Sequence, residues 1–346
     1  MILIFSYFMM FFLFVKVFII AEISANHNND YDLALKTIDE IAKSGADAVK
    51  IQTYRPESLA IDVDNQYFGP KTSGLWKGIR PWDLYKKAAM PYEWQPRLKK
   101  AAEEAGLIFF SSPFDLEAVD FLEELGVDLY KIASFEINDI PLIRRVAATG
   151  KPLIISTGVA AEADIHLALD VCYGVGNQDV SLLKCTSEYP AQISAANLAT
   201  IPDMKTRFGV NVGVSDHTMG SLVPVVAVAL GATIVEKHFI VDRSLGGVDS
   251  SFSMEPAEFR HMVDEVRLVE QAIGTPSYNV SEADCNRRRS LFAIRDILPG
   301  ERLTPETIRS VRPGVGIPPR YYEEVLGKTA RIAIKKGTPL SFDFLL

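Results

Sequence analysis

The strongest constraint on this chain is a repeated alternation of a short apolar run with a longer amphipathic segment. The apolar runs have the length of buried strands, and the segments between them carry apolar residues at the spacing of a helix face. Eight alternations fill about 260 residues, which is the size of a (β/α)8 barrel. The runs lie at 17–21, 46–51, 107–110, 127–132, 152–155, 180–184, 210–214 and 232–235.

Glycine residues support the helical interpretation of the segments between the runs. Several stand directly after a predicted helix, where a left-handed residue commonly ends the helix. They are Gly45, Gly106, Gly126, Gly150 and Gly231. No G-x-G-x-x-G motif follows the first strand, which disfavours an open dinucleotide-binding sheet. The sequence therefore predicts an α/β protein built on a TIM barrel.

Composition excludes several classes of protein. The formal net charge is -8 and no long basic run occurs, which argues against a nucleic-acid-binding surface. The three cysteines, Cys172, Cys185 and Cys285, are widely spaced and form no C-x-x-C motif. A disulfide framework and a cysteine zinc site are therefore excluded, and the cytoplasm is the expected compartment.

Residues 1–16 are almost wholly apolar. A membrane-spanning helix needs about 20 such residues, and the first strand already uses the residues that follow. A signal peptide would begin with basic residues and end at a small-residue cleavage site, and neither is found. We expect a packed extension or an upstream start codon rather than an anchor. Any membrane contact of the chain would be made through this segment alone.

The domain organisation follows from a change of pattern near residue 275. Residues 17–275 hold the predicted barrel, and residues 276–286 have the polar composition of a linker. Residues 287–346 alternate short strands with turns and are few for an independent domain, so we expect them to dock on their own barrel or on a partner's. A long insertion at 54–92 is either a lid that faces the substrate or an excursion that packs on the rim.

Polar or charged residues stand at the carboxyl end of every predicted strand, the end at which barrel enzymes carry out their chemistry. A purely structural barrel does not need them there, so they indicate an active site. They include Glu22, Lys50, Gln52, Ser112, Lys131, Ser134, Glu136, Ser156, Ser187, Asp216, His217 and His238.

Two of the five histidines, His217 and His238, follow strands seven and eight. If these strands are neighbours, the two imidazoles converge, with Asp216 and Glu236 beside them. Imidazole and oxygen ligands suit Mn²⁺, Zn²⁺, Fe²⁺ or Co²⁺ and leave positions open for a carbonyl substrate. We therefore expect a divalent metal site. The alternative is that one ring is a hydrogen-bonded core residue.

Lys50 and Lys131 lie at the ends of buried strands, where an unpaired ammonium group is costly. With the serine hydroxyls of neighbouring strands, they are expected to bind a phosphate and a carboxylate. Two alternatives stay open. Either lysine could form a Schiff base with a carbonyl substrate, or could pair internally with Glu22 or Glu136.

The remaining cysteine and histidine candidates are weaker. Cys185 has no histidine close to it in sequence, so we interpret it as a wall residue of the site and not as a nucleophile. His27 could orient a substrate or cap the loop before the first helix. His166 and His261 fall on helix faces and are expected to be solvated.

The polar strand ends form motifs that are specific in combination. They are Ala21-Glu-Ile-Ser-Ala-Asn-His27, Val49-Lys-Ile-Gln52, Lys131-Ile-Ala-Ser134, Ser156-Thr-Gly158, Cys185-Thr-Ser-Glu-Tyr-Pro190, Ser215-Asp-His-Thr218 and Glu236-Lys-His-Phe239. In this order they resemble the sialic acid synthase family. The C-terminal Val311-Arg-Pro-Gly-Val-Gly316 resembles the antifreeze-like (SAF) domain of that family. The resemblance covers residues 17–346, and residues 1–16 have no counterpart.

That family condenses phosphoenolpyruvate with an open-chain amino sugar, giving a nine-carbon 2-keto acid and phosphate, so the resemblance implies a transferase. It implies that His217 and His238 bind Mn²⁺, or Mg²⁺ or Co²⁺, which polarises the sugar aldehyde. It also implies a domain-exchanged homodimer, because Arg312 is similar to an arginine that reaches into the barrel of the other subunit.

The resemblance further implies two groups of substrate contacts. The residues expected to hold phosphoenolpyruvate are Lys50, Lys131, Ser134, Ser156 and Ser187, with Ser112 nearby. The residues expected to orient the sugar and the attacking water are Glu22, Glu136, Tyr189, Asp216 and Asp249, with Gln52 as a further substrate contact.

Within the family, the segments 74–78, 82–88 and 91–94 look most like those of the pseudaminic acid synthases, which use 2,4-diacetamido-2,4,6-trideoxy-altrose. Ser187, where the sialic acid branch commonly has Asn, points the same way. An N-acetylneuraminate or legionaminate synthase is the nearest alternative. A Schiff-base aldolase and a non-catalytic sugar-binding protein are the alternatives from other classes.

Overall fold

The structure, a computed structural model, describes residues 16–346. The chain divides into two compact units between Gly274 and Thr275. Across the described residues, no helix combines the length and the apolar character needed to cross a bilayer. The predicted apolar extension at 1–16 lies, apart from Lys16, outside the described residues. Lys16 itself forms an ion pair of 2.6 Å with Asp47.

Eight parallel strands close into a barrel in which each strand pairs with the next and the last pairs with the first. This arrangement confirms the predicted TIM barrel. The strands are β1 (Phe18–Glu22), β2 (Ala48–Thr53), β3 (Ile108–Pro113), β4 (Tyr130–Ile132), β5 (Leu153–Ser156), β6 (Val180–Cys185), β7 (Asn211–Asp216) and β8 (Ile234–His238).

Helices connect the strands, and two short ones lie in the insertion after β2. Aspartates begin three of the barrel helices: Asp30, Asp115 and Asp139 each accept a hydrogen bond from a backbone N–H of the first turn. The helices are α1 (Tyr31–Lys43), α2 (Pro56–Leu59), α3 (Pro81–Ala88), α4 (Gln95–Glu104), α5 (Leu116–Leu125), α6 (Ile140–Ala147), α7 (Glu162–Gly174), α8 (Thr200–Phe208), α9 (Leu222–Ala229) and α10 (Pro256–Ile273).

The glycines predicted to follow helices do so with left-handed backbone. Gly126, for example, ends α5 with φ +73°. Gly45, Gly106, Gly150 and Gly231 also have positive φ. These residues turn the chain at the amino-terminal end of the barrel, and the opposite end is left to the loops that carry polar residues.

Two hydrophobic clusters place the site at the carboxyl end of the strands. The larger cluster lies between the strands and the helices. A second fills the barrel interior near the amino ends, with Phe18, Ile20, Ala48, Phe110, Leu129, Ile154, Leu183 and Ile234. Because strand side chains alternate between faces, residues two positions further along also point inward. Those positions carry Glu22, Lys50, Ser112, Lys131, Ser156, Cys185 and Glu236.

The second unit has a hydrophobic core of its own, formed by residues such as Leu291, Leu303 and Val325. Its main sheet is an antiparallel pair, and isolated bridges join further extended segments. Its elements are α11 (Glu282–Asn286), β9 (Ser290–Ala293), β10 (Ile308–Val311) and α12 (Tyr322–Val325).

Candidate active site

A cavity of about 820 Å³ opens at the carboxyl end of the barrel strands. Most of the residues predicted for the site line it, although they come from all parts of the barrel sequence. The predicted residues on its wall are Glu22, Lys50, Gln52, Lys131, Ser134, Glu136, Ser156, Ser187, Tyr189, His217, His238 and Asp249. Ser112 and Asp216, which belong to the same unit, are not among its lining residues.

His217 and His238 lie side by side on one wall of the cavity, with 5.2 Å between their ring centroids. The Phe252 ring packs against both imidazoles. Nδ1 of His217 donates a hydrogen bond to the carbonyl oxygen of Thr186 at 3.0 Å. This bond fixes the ring and leaves Nε2 as the nitrogen with a free lone pair, the arrangement typical of a metal-ligating histidine.

His238 has polar atoms that the protein alone does not satisfy. Its Nε2 lies 3.3 Å from Oε2 of Glu22, and its Nδ1 is buried without a hydrogen-bond partner. Burial lowers the pKa of His238, so its imidazole is neutral and can act as a ligand. Within residues 16–346 there is no cluster of three or more side chains suited to a metal. The free Nε2 of His217 and the unpartnered Nδ1 of His238 fit an open site with two imidazole ligands, completed by water or substrate.

Two buried lysines lie deeper in the same cavity, each with an exposed fraction of 2%. The Nζ of Lys50 lies 2.8 Å from Oε1 of Glu22 and 3.4 Å from Oε1 of Glu236. The Nζ of Lys131 lies 3.5 Å from the same Glu236 oxygen. One carboxylate thus bridges both ammonium groups.

The two lysines differ in charge state. Burial alone would lower the pKa of Lys50, but the neighbouring Glu22 and Glu236 raise it overall. This side chain is therefore protonated and positively charged. Burial outweighs the attraction of Glu236 at Lys131 and lowers its pKa. An added anion next to Lys131 would therefore stabilise its charged form.

Serine hydroxyls surround the lysines with unused hydrogen-bonding capacity. The Oγ atoms of Ser112 and Ser156 are buried without a hydrogen-bond partner. The N–H of Gly158 donates to Oγ of Ser134 at 3.1 Å, which directs the Ser134 proton elsewhere. A Cβ on Gly158 would lie 2.1 Å from Oγ of Ser187, so the absence of a side chain there lets the hydroxyls converge.

Acidic and aromatic side chains complete the wall next to the histidines. Burial raises the pKa of Glu136 to about 7, and its Oε2 has no hydrogen-bond partner. Oδ2 of Asp249 accepts a hydrogen bond of 2.6 Å from Ser24. The Tyr189 ring lies 4.4 Å from the ring of His217. Gln52 donates to Oε1 of Glu22 at 3.1 Å, which connects it to the lysine group.

The insertion at 54–92 forms part of the cavity wall, as expected of a substrate-facing element. Tyr54, Lys71, Trp76 and Tyr85 are among its lining residues. Nε1 of Trp76 donates to the carbonyl oxygen of Val248 at 3.1 Å, which fastens the insertion to the loop after β8.

The structure corrects the predicted place of Asp216. Its carboxylate points away from the cavity, accepts a 2.5 Å hydrogen bond from Lys237, and also binds the N–H and hydroxyl of Thr218. The reason is strand alternation: His217 points into the barrel, so its neighbour Asp216 points out. Asp216 therefore does not line this cavity.

The other predicted residues occupy varied positions. Ser112 is buried and points into the barrel at the level of Gln52 on the neighbouring strand, but it does not line the cavity. Arg312 is exposed and lies in the second unit, so its predicted role in a site stays a prediction. The side chains of His166 and His261 are largely exposed, which confirms the prediction that they are solvated.

His27 and Cys185 also have defined contacts. Nε2 of His27 donates to the carbonyl oxygen of Ala88, and its Nδ1 accepts from the N–H of Asn29, so the ring holds loops and does not line the cavity. Cys185 lines the cavity. Burial would raise the pKa of its thiol, but His217 lowers it to about 7. The same contact raises the pKa of His217, which burial alone would lower.

Glu236 was expected beside the histidines, but its place between the lysines was not predicted, and the lining residues Ser215 and Trp76 were not assigned to the site. Glu236, which bridges the lysines, stands two positions before His238 on β8, so alternation could have indicated its inward direction. Ser215, which donates to Glu236 at 3.1 Å, has the same relation to His217. Trp76 belongs to an irregular insertion, where no periodicity indicates direction.

Comparison with known proteins identifies relatives over nearly the whole chain. The chain is 45% identical to the pseudaminic acid synthase of Campylobacter jejuni over 94% of its own length and 95% of that protein. It is 36% identical to the N,N'-diacetyllegionaminic acid synthase of the same species, over 91% of this chain and 96% of that one.

A solved structure and two family models agree with these relatives. The crystal structure of the N-acetylneuraminic acid synthetase of Leptospira borgpetersenii matches with a TM-score of 0.69 and 34% identity, over 78% of this chain and 89% of that one. The NeuB family model matches residues 37–278, and the SAF domain model matches residues 288–346. The chain therefore belongs to the NeuB family and ends in a SAF domain.

Proposed function

We propose that this chain is a pseudaminic acid synthase. It condenses phosphoenolpyruvate with the open-chain form of 2,4-diacetamido-2,4,6-trideoxy-altrose, and yields a nine-carbon 2-keto sugar acid and phosphate. One observation carries this proposal: a wall of buried lysines and unpaired hydroxyls faces a pair of histidines across a single cavity. The first wall suits a multiply charged anion, and the second suits an aldehyde activated by a metal.

Phosphoenolpyruvate binds in this proposal to the lysine and serine wall. Lys50 and Lys131 supply positive charge, and Ser134, Ser156 and Ser187 supply hydroxyl donors to the phosphate and carboxylate. Ser112 lies near this wall with a buried, unpaired hydroxyl. Because these groups are buried and held by the strands, they need little reorganisation when the anion enters.

His217 and His238 hold a divalent metal, Mn²⁺ in our proposal, with Mg²⁺ or Co²⁺ as substitutes. Synthases of this family are generally metal-dependent. The bound ion would supply a Lewis acid that polarises the aldehyde oxygen of the sugar. Glu22 contacts both His238 and Lys50, so it joins the two halves of the site and orients His238.

In this proposal, the acidic and polar side chains of the wall orient the sugar and transfer protons. In the balanced reaction, C3 of phosphoenolpyruvate bonds to the aldehyde carbon, whose oxygen takes up a proton. Water then adds to C2 and loses one proton, and phosphate leaves as the resulting C2 hydroxyl loses the other, which forms the ketone. Glu136 suits the exchange of protons near neutral pH, because its pKa is about 7. Tyr189, Asp249 and Gln52 orient the sugar from the cavity wall.

The alternative sugars define the test. An N-acetylneuraminate or legionaminate synthase would use the same machinery with a different sugar, and relatives with both activities are similar to this chain. Purified protein is incubated with phosphoenolpyruvate, Mn²⁺ and each candidate sugar, and phosphate release is followed. Release with the altrose sugar supports the proposal. Release only with N-acetylmannosamine or the legionaminate precursor would move the function to that branch, and no release with any sugar would refute a synthase.

A Schiff-base aldolase is less consistent with the site. An imine-forming lysine must lose its proton, and the carboxylates beside Lys50 raise the pKa of that residue. Lys131, whose pKa burial lowers, is the better candidate for such chemistry. The family to which the chain belongs is one of phosphoenolpyruvate-dependent synthases, which favours an anion-binding role for both lysines.

We also propose that the enzyme works in the cytoplasm as a domain-exchanged homodimer. The three free cysteines suit a reducing compartment. In the dimer, Arg312 of one subunit enters the barrel of the other and contacts its substrate. Mixing a His217→Ala protein with an Arg312→Ala protein should then restore part of the activity. Verified heterodimers without activity would instead indicate a site completed within one chain.

A further inference from the structure

His217 and His238 lie one residue beyond the last pairing between β7 and β8. The last paired residues of β7 and β8 are Asp216 and Lys237, which lie directly opposite each other. His217 and His238 follow these two residues immediately. No pairing between β7 and β8 joins these two residues directly, although His238 pairs with Glu22 of β1. A side-chain contact between β7 and β8 can therefore set the separation of the two imidazoles.

A buried ion pair lies at this point, on the side of the strands opposite to the cavity. Nζ of Lys237 donates to Oδ2 of Asp216 and to the carbonyl oxygen of Thr218, both at 2.5 Å. Asp216 in turn accepts hydrogen bonds from the N–H and the hydroxyl of Thr218, both at 3.0 Å. The ammonium group of Lys237 thus binds the residue on each side of His217.

The burial of this group is nearly complete: Lys237 is 0% exposed, Asp216 4% and Thr218 1%. A buried ion pair is a poor source of net stability, because its desolvation offsets much of its attraction. Its hydrogen bonds are nevertheless directional, so they set the distance between the ends of β7 and β8. We therefore expect the pair to affect the positions of the neighbouring histidines more than the stability of the fold.

We propose that Asp216 and Lys237 are positioning residues that hold His217 and His238 at the spacing required to bind one divalent metal ion. Lys237 flanks one ligand, and both of its acceptors flank the other. The inference rests on the proposed function, because it requires that the two histidines bind a metal.

The test measures metal affinity separately from stability. Metal-free protein is titrated with Mn²⁺ by isothermal calorimetry, and thermal unfolding is recorded on the same samples. Lys237→Met leaves a buried carboxylate unpaired, so the double variant Asp216→Asn/Lys237→Met, which removes both charges, is the main sample. We expect the Kd for Mn²⁺ to rise by about 10- to 100-fold, the usual effect of losing an outer-shell partner.

Two further variants are measured in the same way: one with a smaller change to the buried group, and one control outside it. Thr218→Val keeps the ion pair and removes one hydroxyl, so it should weaken Mn²⁺ binding by a smaller factor and keeps the test valid if the double variant does not fold. Lys151→Met removes the 2.6 Å ion pair with Glu123, which lies away from the cavity, and should leave the Kd unchanged.

Three outcomes are distinguishable. Weaker Mn²⁺ binding by the folded Asp216 and Lys237 variants, with the control unchanged, supports the inference. Wild-type affinity in folded variants would overturn it, even if their melting temperatures fall, because the pair would then be purely structural. Failure of the wild-type protein to bind Mn²⁺ would remove the proposed metal role of the histidines as well.

Discussion

Gly158 allows a direct test of the proposal that the lysine and serine wall binds the phosphate. In Gly158→Ala, the added Cβ would lie 2.1 Å from Oγ of Ser187, 2.9 Å from Oγ of Ser134 and 3.1 Å from Sγ of Cys185. A carbon atom needs about 3.5 Å from its neighbours. The Ser187 hydroxyl must therefore move by more than about 1 Å, and Ser134 must shift as well.

The size of the effect follows from the two hydroxyls. A hydrogen bond to a charged group contributes about 1.5–3 kcal/mol, so loss of two such bonds to phosphate costs about 3–6 kcal/mol. Since about 1.4 kcal/mol corresponds to a factor of ten, kcat/KM for phosphoenolpyruvate should fall by roughly 10²- to 10⁴-fold. The assay is phosphate release with phosphoenolpyruvate varied and the sugar saturating.

Gly174→Ala is the matched control. Gly174 is the last residue of α7, it does not have a positive φ, and an added Cβ there meets no atom within 4 Å. This variant should keep wild-type kinetics. If Gly158→Ala also keeps kcat/KM for phosphoenolpyruvate within about twofold of wild type, the serine cluster does not bind the phosphate and the reasoning is refuted.

Three further predictions concern the rest of the site. The raised pKa of Glu136 means that the stability carried by its protonated form is lost as pH rises through about 7. Glu136→Gln should therefore gain melting temperature over wild type at pH 8 but not at pH 4, and an equal shift at both would contradict the assigned pKa. His217→Ala should abolish Mn²⁺ binding in calorimetry and lower kcat/KM by about 100-fold or more; retained binding would exclude His217 as a ligand. Borohydride with either substrate should leave no adduct on the protein by mass spectrometry, whereas a reduced adduct on Lys50 or Lys131 would support an aldolase.

The barrel could be predicted from the sequence because its signal is periodic. Apolar runs and the glycines that follow helices recur through the chain, so each element supports the interpretation of its neighbours. The strand ends were less predictable. β3 continues to Pro113 and β8 to His238, whereas their apolar runs end at 110 and 235. The polar residues of the site continue the strands, because backbone pairing does not depend on side-chain polarity.

Site residues could be predicted where the strand period shows whether a side chain points into or out of the barrel. Lys50 and Gln52 alternate on β2 and both line the cavity, so the strand period was sufficient there. Asp216 was chosen for its chemistry next to His217, although the same period turns it outward. Trp76 is held by tertiary contacts, a hydrogen bond to Val248 and a ring contact with Tyr189, which no local pattern encodes.

The carboxylate of Glu236 between the two lysines has a consequence for which anions the site admits. It competes with any incoming anion, since it is already paired with both Lys50 and Lys131. A singly charged ion such as chloride or acetate gains little binding free energy by replacing the Glu236 carboxylate, because β8 already holds that carboxylate next to the lysines. A ligand with both a phosphate and a carboxylate reaches the lysines and the serines together. The enzyme should therefore tolerate ordinary salts and be inhibited mainly by polyanions of similar shape.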